Sequence, residues 1–335
     1  MKKILILSPI NLIPVKSGMQ STIYLIYKYL SENYSVHFIC CNKNNNRIDP
    51  VLNLKKKNYV KNQIIQKLKK YKFDTIIVNT TKLAFIYLDL LKKIDTKKIV
   101  VSHDLYNFRK KYFKKINIID KTSLSQKNEL KTINNFNYIC DLTSQEINYL
   151  KKNKINKKKI FNFNTPADLL LSKKKSKKIY DFLYIKSNWA QNDLAYKKIR
   201  EIASVLHEKF FLILSSGKPK VIKNITFKKY NKNLISNAKV GLAPILTGTG
   251  RNVKIIDMFS GGIPIITNKI INQTNLSTSN HYLVVSFKNV RIICKFLRDY
   301  NQKKFNQLGK NNLSWFMKHS YYKNSLKIFK KYINC

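Results

Sequence analysis

Short apolar runs alternate with longer amphipathic stretches along the first half of the chain, and each apolar run has the length of a strand. The runs that predict strands are Lys2–Leu7, Val36–Cys40, Thr75–Val78, Lys98–Ser102 and Tyr138–Leu142. Helical patterns lie between them: Gln20–Ser31 predicts one helix, and Thr143 with Glu146 forms a capping-box pair that opens another. Continuous apolar strands that alternate with helices indicate a parallel sheet covered on both faces.

The second half repeats this pattern after a lysine-rich segment, Lys151–Lys178, which contains the helix breaker Pro166. The predicted strands here are Asp181–Ile185, Phe210–Leu214, Lys239–Ala243 and Ile263–Thr267, the predicted helices are Asp193–His207 and Asn252–Phe259, and a helical tail runs from Val290 to Tyr332. We therefore predict the α/β class, with two doubly wound, Rossmann-like domains (1–163 and 164–335) facing a cleft. Ligands of such sheets bind outside the carboxyl ends of the strands.

The charged residues, 65 basic against 17 acidic, leave a net charge of +48. The basic residues are 59 lysines and only 6 arginines, spread over the whole chain, and Asn, Ile, Tyr and Phe are also abundant. These residue types share A/T-rich codons, so nucleotide bias explains the charge better than a nucleic-acid partner, for which arginine forks would be expected. The resulting field should still attract anionic lipids and nucleic acids.

Five cysteines show neither Cys-x-x-Cys spacing nor a regular framework, which argues against a disulfide scaffold or a zinc site. The basic start of the chain carries only a short apolar run without a cleavage site, so we interpret it as a core strand. No apolar run approaches the roughly 18 residues of a membrane-spanning helix. We expect a cytoplasmic protein, and peripheral association with the inner face of the membrane stays an open alternative.

Glycine is scarce: the chain has 8, where ordinary usage would give about 23. Six of them lie in one part of the second half, which includes VGLAPILTGTGRNVKIIDMFSGGIPIIT. Gly248 and Gly250 form a turn before a helix that begins near Asn252, and a helix N-terminus attracts anions. Lys254 and Asp257 then suit a nucleotide diphosphate, the lysine for charge and the aspartate for ribose hydroxyls. A glycine turn with a surface ion pair between the two residues explains the spacing equally well.

The order of that segment resembles the donor-binding segment of GT-B glycosyltransferases, especially the retaining family-four (glycosyl transferases group 1) type. The matching features are a strand ending at Pro244, the GTG turn, Lys254, Asp257, and then MFSGGIPIIT. KSNWAQND, NLISNAKVGLAP and LSW in the second half, and SPINLIPVKSGMQSTIYLIYKYL and VSHDLYNFR in the first, are similar to further parts of the family pattern. The resemblance covers nearly the whole chain, and its motifs are more specific in the second half. It also implies that the last helix, about 315–333, packs back toward the N-terminal domain.

The resemblance implies a role for each matching position. His103 would contact the transferred sugar, and Lys254 with Arg251 would neutralise the diphosphate leaving group. The implied donor-binding residues are Gly18, Gly248, Thr249, Gly250, Asn252 and Asp257. No metal or other cofactor is expected, because the two basic side chains and the helix terminus would supply the positive charge. A satisfied loop histidine is the alternative interpretation of His103.

The implied function is transfer of a sugar from a nucleotide-diphosphate sugar to a glycan or lipid-linked acceptor in cell-surface polysaccharide or glycolipid synthesis, with retention and without metal. Two departures bear on it: Thr249 occupies the position of the first acid of the family motif, and Asp257 replaces the second glutamate. Lys186 is the nearest substitute for the basic residues that follow the first strand of the second domain. The alternatives are a GT-B nucleotide-sugar epimerase and a non-catalytic polyanion-binding or nucleic-acid-binding protein on a degenerate GT-B scaffold.

Two basic stretches are candidates for contact with an acceptor or with an anionic membrane. Lys55–Lys70 places Val60, Ile64 and Leu68 at four-residue spacing among lysines. The second stretch, YNFRKKYFKK, interleaves aromatic and basic residues, and from it we predict contacts through Lys110, Lys111 and Phe113. An ordinary amphipathic helix whose apolar face joins the core is the alternative for both stretches.

Overall fold

The computed structural model describes residues 1–15, 17–41, 54–114, 124–170, 178–186, 190–245, 253–269, 271, 273 and 276–334. These residues form two compact units. The first contains the described residues up to Pro166 together with those from Ser325 onward, and the second contains those from Ala167 to Asn324. The boundary at 163 that the sequence predicts lies three residues before the end of the first stretch.

The first unit is built on a sheet of five parallel strands in the order β2-β1-β3-β4-β5. The strands are β1 (Lys3–Ser8), β2 (Ser35–Cys40), β3 (Thr75–Asn79), β4 (Lys97–Val101) and β5 (Tyr138–Cys140). The helices are α1 (Gly18–Ser31), α2 (Leu54–Lys70), α3 (Thr81–Ile86), α4 (Leu88–Lys92), α5 (Tyr106–Lys114), α6 (Gln126–Asn134) and α7 (Ser144–Lys152). The strand order reverses between β1 and β3, which is where doubly wound sheets bind ligands.

The first helix and the seventh show how local sequence sets these elements. The side chain of Ser17 accepts a hydrogen bond from the backbone N–H of Gln20, so it caps α1 at its first turn. The capping box predicted before α7 is confirmed: Thr143 accepts from the Glu146 N–H, and the Glu146 carboxylate accepts from the Thr143 N–H at 2.8 Å.

The lysine-rich helix α2 uses its apolar stripe to cover the first sheet. Val60 and Ile64 are buried in the core of the unit, and Leu68 packs against them at its edge. The stripe is therefore occupied by the protein's own core, as in the ordinary amphipathic helix that the sequence left as the alternative. The apolar face proposed for a membrane at Lys55–Lys70 is not available on the surface.

The second unit is built on seven strands in the order β12-β11-β10-β6-β7-β9-β8. The strands are β6 (Tyr180–Ile185), β7 (Phe211–Ser215), β8 (Lys220–Ile222), β9 (Ile225–Lys229), β10 (Ala238–Ala243), β11 (Ile265–Thr267) and β12 (Tyr282–Val284). All neighbours are parallel except β8, which pairs with β9 in the antiparallel sense. The order reverses between β6 and β10, so the predicted doubly wound α/β class is confirmed in both units.

Among the residues that the structure describes, six helices accompany or follow this second sheet. They are α8 (Ala190–Val205), α9 (Val253–Ser260), α10 (Val290–Arg298), α11 (Gln302–His319), α12 (Tyr322–Ser325) and α13 (Ile328–Asn334). The sequence analysis predicts no strand at β8, β9 or β12. β8 is three residues long and exposed throughout, and β12 is three residues long with a single buried residue, so neither shows the buried run of the longer strands.

The predicted last helix, about 315–333, is divided in the structure among α11, α12 and α13. Trp315 and Phe316 are buried in the core of the second unit, because the Trp315 ring packs edge-on against Phe259. In the first unit, Tyr332 of α13 stacks on Phe161 with ring centroids 4.1 Å apart. The chain after Ser325 thus belongs to the first unit, whereas α11 belongs to the second.

Candidate functional site

Lys254 lies at the switch point of the second sheet, in the first turn of α9, and is half-buried. Its Nζ donates to Oδ1 of Asn192 at 2.6 Å and lies 5.8 Å from the centroid of the Tyr184 ring. Loss of water around the ammonium lowers the pKa of Lys254 to about 8, and the charge of Lys186 adds to the shift. Lys254 has no carboxylate partner in the described part of the chain, so an incoming anion would supply the missing negative charge.

Lys186 follows β6 directly and brings a second ammonium to the same edge of the sheet. Its Nζ pairs with Oδ1 of Asp193 at 2.8 Å, and it lies 5.7 Å from the Tyr196 ring centroid. The Asp193 side chain is 60% exposed, so this surface pair holds Lys186 only weakly. The sequence analysis names Lys186 as a substitute for the family's basic residues, and the positive charge of Lys186 contributes to the lowered pKa of Lys254.

Asp257 is buried, with only 4% of the residue exposed, and each of its carboxylate oxygens lies close to one polar side chain. The Tyr230 hydroxyl donates to Oδ2 at 2.6 Å, and the ammonium of Lys232 lies 2.7 Å from Oδ1. Burial raises the pKa of Tyr230, and the nearby charge of Asp257 raises it further. The surface ion pair between Asp257 and Lys254, the alternative from the sequence, is not formed. Oδ2 is taken by the Tyr230 hydroxyl, whereas Oδ1 is buried and accepts no hydrogen bond among the described residues.

The glycines of the donor-like segment lie in two places, the predicted turn before α9 and the end of α9. The structure does not describe the turn residues, which are Gly248, Thr249, Gly250, Arg251 and Asn252. Gly262 adopts φ +64° at the end of α9, in the left-handed region that ends many helices. A Cβ on Gly309 of α11 would collide with the carbonyl of Gly262. The glycine at the end of α9, Gly262, is therefore explained by its left-handed turn and by close packing of this end of α9 on α11.

Four polar side chains form a chain along the carboxyl ends of the first sheet. His103, which follows β4, contacts Asp141 through Nδ1 at 2.7 Å and Oδ1 of Asn79 through Nε2 at 2.5 Å. The other end of the Asn79 amide donates to Oγ of Ser8 at 3.0 Å. These residues belong to the ends of β1, β3, β4 and β5, which are neighbours only in the folded sheet. Both nitrogens of His103 are thus engaged within the protein.

The backbone around this chain is held in an uncommon conformation. Thr80, His103 and Asp141 have φ values of 86°, 60° and 64°, which L-residues other than glycine rarely adopt. Thr80 donates its backbone N–H to the carbonyl of Val101 at 2.8 Å, and Ser102 donates to Cys140 at 3.0 Å. Strained residues of this kind concentrate at functional sites. The three turns mark the carboxyl edge of the first sheet as a candidate site.

Two buried carboxylates hold the segment that follows His103. Glu129 accepts from the backbone N–H groups of Tyr106 and Asn107 at 2.8 and 3.1 Å, and Glu146 accepts from that of Leu105 at 2.7 Å. Burial raises the pKa of Glu146 to about 8, and the charge of Asp104 adds to the shift. The carboxylates thereby satisfy N–H groups at the start of α5. The sequence analysis used Glu146 only as a helix cap and did not single out Glu129.

The remaining predicted positions lie apart from these two groups. Gly18 is the first residue of α1. Lys110 is exposed on α5, and the side chain of Lys111 lies outside the described part of the structure. Phe113 is 8% exposed and lies 5.7 Å from the Arg109 guanidinium, so its ring is not the surface contact that we predicted. The aromatic residues of α5 had suggested an outward face, but the helix turns Phe113 inward.

Two general features concern ions and membranes. In the part of the chain that the structure describes, no three His, Cys, Asp or Glu side chains come together as a metal site would require. The expectation of metal independence stays a prediction. No helix among the described ranges combines the length and the hydropathy that crossing a bilayer demands.

Solved structures with both units in common identify the architecture. Sucrose-phosphate synthase from Thermosynechococcus elongatus superposes with a TM-score of 0.75 at 11% identity, covering 100% of this chain and 99% of that one. HepE from Anabaena, solved with UDP and glucose, gives 0.67 at 9% identity with full coverage of both chains. The chain has the GT-B fold. The predicted resemblance to GT-B glycosyltransferases is thereby confirmed at the level of architecture.

A third GT-B structure is similar over part of its length. The pneumococcal O-GlcNAc transferase GtfA, solved with UDP and GlcNAc, gives a TM-score of 0.60 at 15% identity and covers 82% of this chain and 59% of that one. No family model and no curated protein matches the sequence. At such low identities the GT-B likeness establishes the fold, and function has to be argued from the site.

Proposed function

We propose that this chain is a glycosyltransferase that takes a sugar from a nucleotide-diphosphate sugar and passes it to a glycan or lipid-linked acceptor. The observation that carries the proposal is the half-buried Lys254, which has no counter-ion in the described structure and lies at the switch point of the second sheet. Two GT-B neighbours, HepE and GtfA, were solved with UDP, which makes UDP the first nucleotide to test.

Lys254 would do electrostatic work in this reaction. Negative charge develops on the diphosphate as the bond to the sugar breaks, and a fixed ammonium with little water around it stabilises that charge strongly. Lys186 would add a second positive charge, because it already acts on Lys254 through space. Two ammonium groups would allow the site to bind a diphosphate without a metal ion, and we propose metal-independent transfer.

Asp257 takes a different role from the one implied by the resemblance. Its carboxylate holds the Tyr230 hydroxyl and the Lys232 ammonium, so it would shape the wall of the donor site and leave the ribose to other groups. We keep His103 as the residue that meets the transferred sugar. Retention of configuration, a role in cell-surface polysaccharide or glycolipid synthesis, and an anionic membrane surface near Lys110 and Lys111 complete the proposal.

Titration calorimetry with UDP, GDP, ADP and dTDP tests the donor site. At least one nucleotide should bind, and Lys254→Met should weaken that binding at least 10-fold, whereas Lys197→Ala removes an exposed charge of α8 and should have no effect. Equal binding by both variants, or none by the unmodified chain, would refute the proposal. Product analysis with the matching nucleotide sugar separates transfer from epimerisation. Binding that weakens steeply with rising salt concentration and is unchanged in Lys254→Met would instead indicate a polyanion-binding protein.

A further inference from the structure

We propose that Asp141 and Asn79 are positioning residues that lock the imidazole of His103 in one orientation, so that neither ring nitrogen is free to act as a base. The structural part of this inference stands on the first unit alone. Its kinetic consequence rests on the proposed glycosyltransferase function. Neither Asp141 nor Asn79 was singled out by the sequence analysis.

The polarity of the hydrogen bonds around His103 can be followed from Ser8. The Ser8 hydroxyl donates to the carbonyl of Ile10 at 2.9 Å, so its oxygen is left to accept from the Asn79 Nδ2 at 3.0 Å. This orientation of the amide turns Asn79 Oδ1 toward His103 Nε2. The amide therefore presents an acceptor to the ring, and Nε2 must carry the proton.

Asp141 presents a second acceptor on the opposite side of the ring. Its Oδ2 lies 2.7 Å from Nδ1, and the aspartate side chain is only 6% exposed. At this distance a proton must lie between Nδ1 and Oδ2, so Nδ1 has no lone pair open to a substrate. With both nitrogens directed at oxygen atoms, the ring has no lone pair with which to take a proton from a substrate.

The backbone supports the same function. His103 and Asp141 both sit in the left-handed region, and the neighbouring strand ends are tied by the hydrogen bond from Ser102 N–H to Cys140. Conformational strain of this kind persists only where surrounding contacts over-determine it. Glu129 and Glu146 hold the first turn of α5 just beyond His103. The ring is therefore fixed through its side chain and through both flanks of its turn.

Nitrogen NMR tests the lock without reference to activity. In protein labelled with ¹⁵N on histidine, the Nε2 signal of His103, assigned with His103→Gln, should show the shift of a protonated nitrogen. Asp141→Asn should move the Nδ1 signal toward that of an unprotonated nitrogen. Asparagine tolerates the left-handed conformation, so this change leaves the turn intact. Asp89→Asn, at an exposed position of α4, is the matched control.

Kinetics provide the second readout. We expect Asp141→Asn and Asn79→Ala to lower kcat about 100-fold, the effect of a reacting group displaced by roughly 1 Å, with little change in KM for the nucleotide sugar. If Asp141 and Asn79 had a purely structural role, the substitutions would lower the fraction of folded protein. The ring signals of the folded protein would then stay unchanged, and kcat would not fall separately from KM.

The NMR and kinetic experiments can each refute a different part of the proposal. Ring signals that are identical in the unmodified chain and in Asp141→Asn, or an unprotonated Nε2 in the unmodified chain, would overturn the lock. An unchanged kcat in Asp141→Asn would overturn its kinetic consequence. If no nucleotide binds, the proposed function fails, and the NMR result still decides the state of His103.

Discussion

Lys254 gives the most discriminating prediction, because its charge is costly in the free protein and useful in the complex. Burial lowers its pKa from the ordinary 10.5 to about 8. A bound diphosphate favours the charged form, so binding should raise this pKa again. Above pH 8 the free protein must therefore take up a proton when the nucleotide binds. We expect UDP affinity to be constant below pH 7 and to fall nearly 10-fold for each pH unit above 8.

The lowered pKa of Lys254 also reduces the stability of the free protein, so removing the charge should stabilise the fold while it weakens nucleotide binding. A pKa unit is worth about 1.4 kcal/mol, so the depressed pKa of Lys254 corresponds to roughly 3 kcal/mol of unfolding free energy. The folded pKa is below the unfolded one, so this penalty is fully present below pH 8 and disappears as the pH rises to 10.5. Lys254→Met removes the penalty and loses one hydrogen bond to Asn192, worth about 1 kcal/mol. The variant should therefore be about 2 kcal/mol more stable at pH 7 while it binds UDP poorly.

Calorimetry in two buffers with different ionisation enthalpies measures both affinity and proton uptake. At pH 9 the unmodified chain should take up nearly one proton per UDP bound, and Lys254→Met should take up none. Lys197→Ala, which removes a charge from an exposed position, should behave as the unmodified chain does. A flat affinity between pH 7 and pH 9.5, or the same proton uptake in Lys254→Met, would refute the reasoning.

Three further predictions concern stability. Gly309→Ala should cost about 1–3 kcal/mol, because its Cβ would meet the Gly262 carbonyl, whereas a Cβ on Gly217 would make only an ordinary contact with the Ser215 hydroxyl; thermal melting of Gly309→Ala and Gly217→Ala compares the two sites. The folded pKa of Glu146 is raised to about 8, so its contribution is complete below pH 4.5 and is lost as the pH rises to 8; melting temperatures measured from pH 5 to 9 should fall less steeply in Glu146→Gln. Asp257→Ala leaves the buried Tyr230 hydroxyl without its acceptor and should lower the melting temperature even without nucleotide, and an unchanged melt would contradict its structural role.

The sequence by itself was enough for the α/β class and for most of the parallel strands. Each buried strand is a short apolar run, and that signal depends only on neighbouring residues. The capping box at Thr143 and Glu146 is equally local and was predicted correctly. Lys254 could also be proposed from the sequence, because the order of strand, glycine turn and helix places a cation at a helix N-terminus. What the sequence could not show was that Lys254 lacks an acidic partner among the described residues.

The tertiary structure decided which polar residues meet. Ser8, Asn79, His103 and Asp141 are far apart in the chain, and they come together only because β1, β3, β4 and β5 are consecutive in the sheet. Asp257 looked available for a ligand by its helical spacing, but its partners come from the region after β9. The sides of α2 and α5 that face the core were likewise set by packing. Local sequence patterns determine which elements form, whereas contacts between distant segments depend on strand order and burial, which no local pattern encodes.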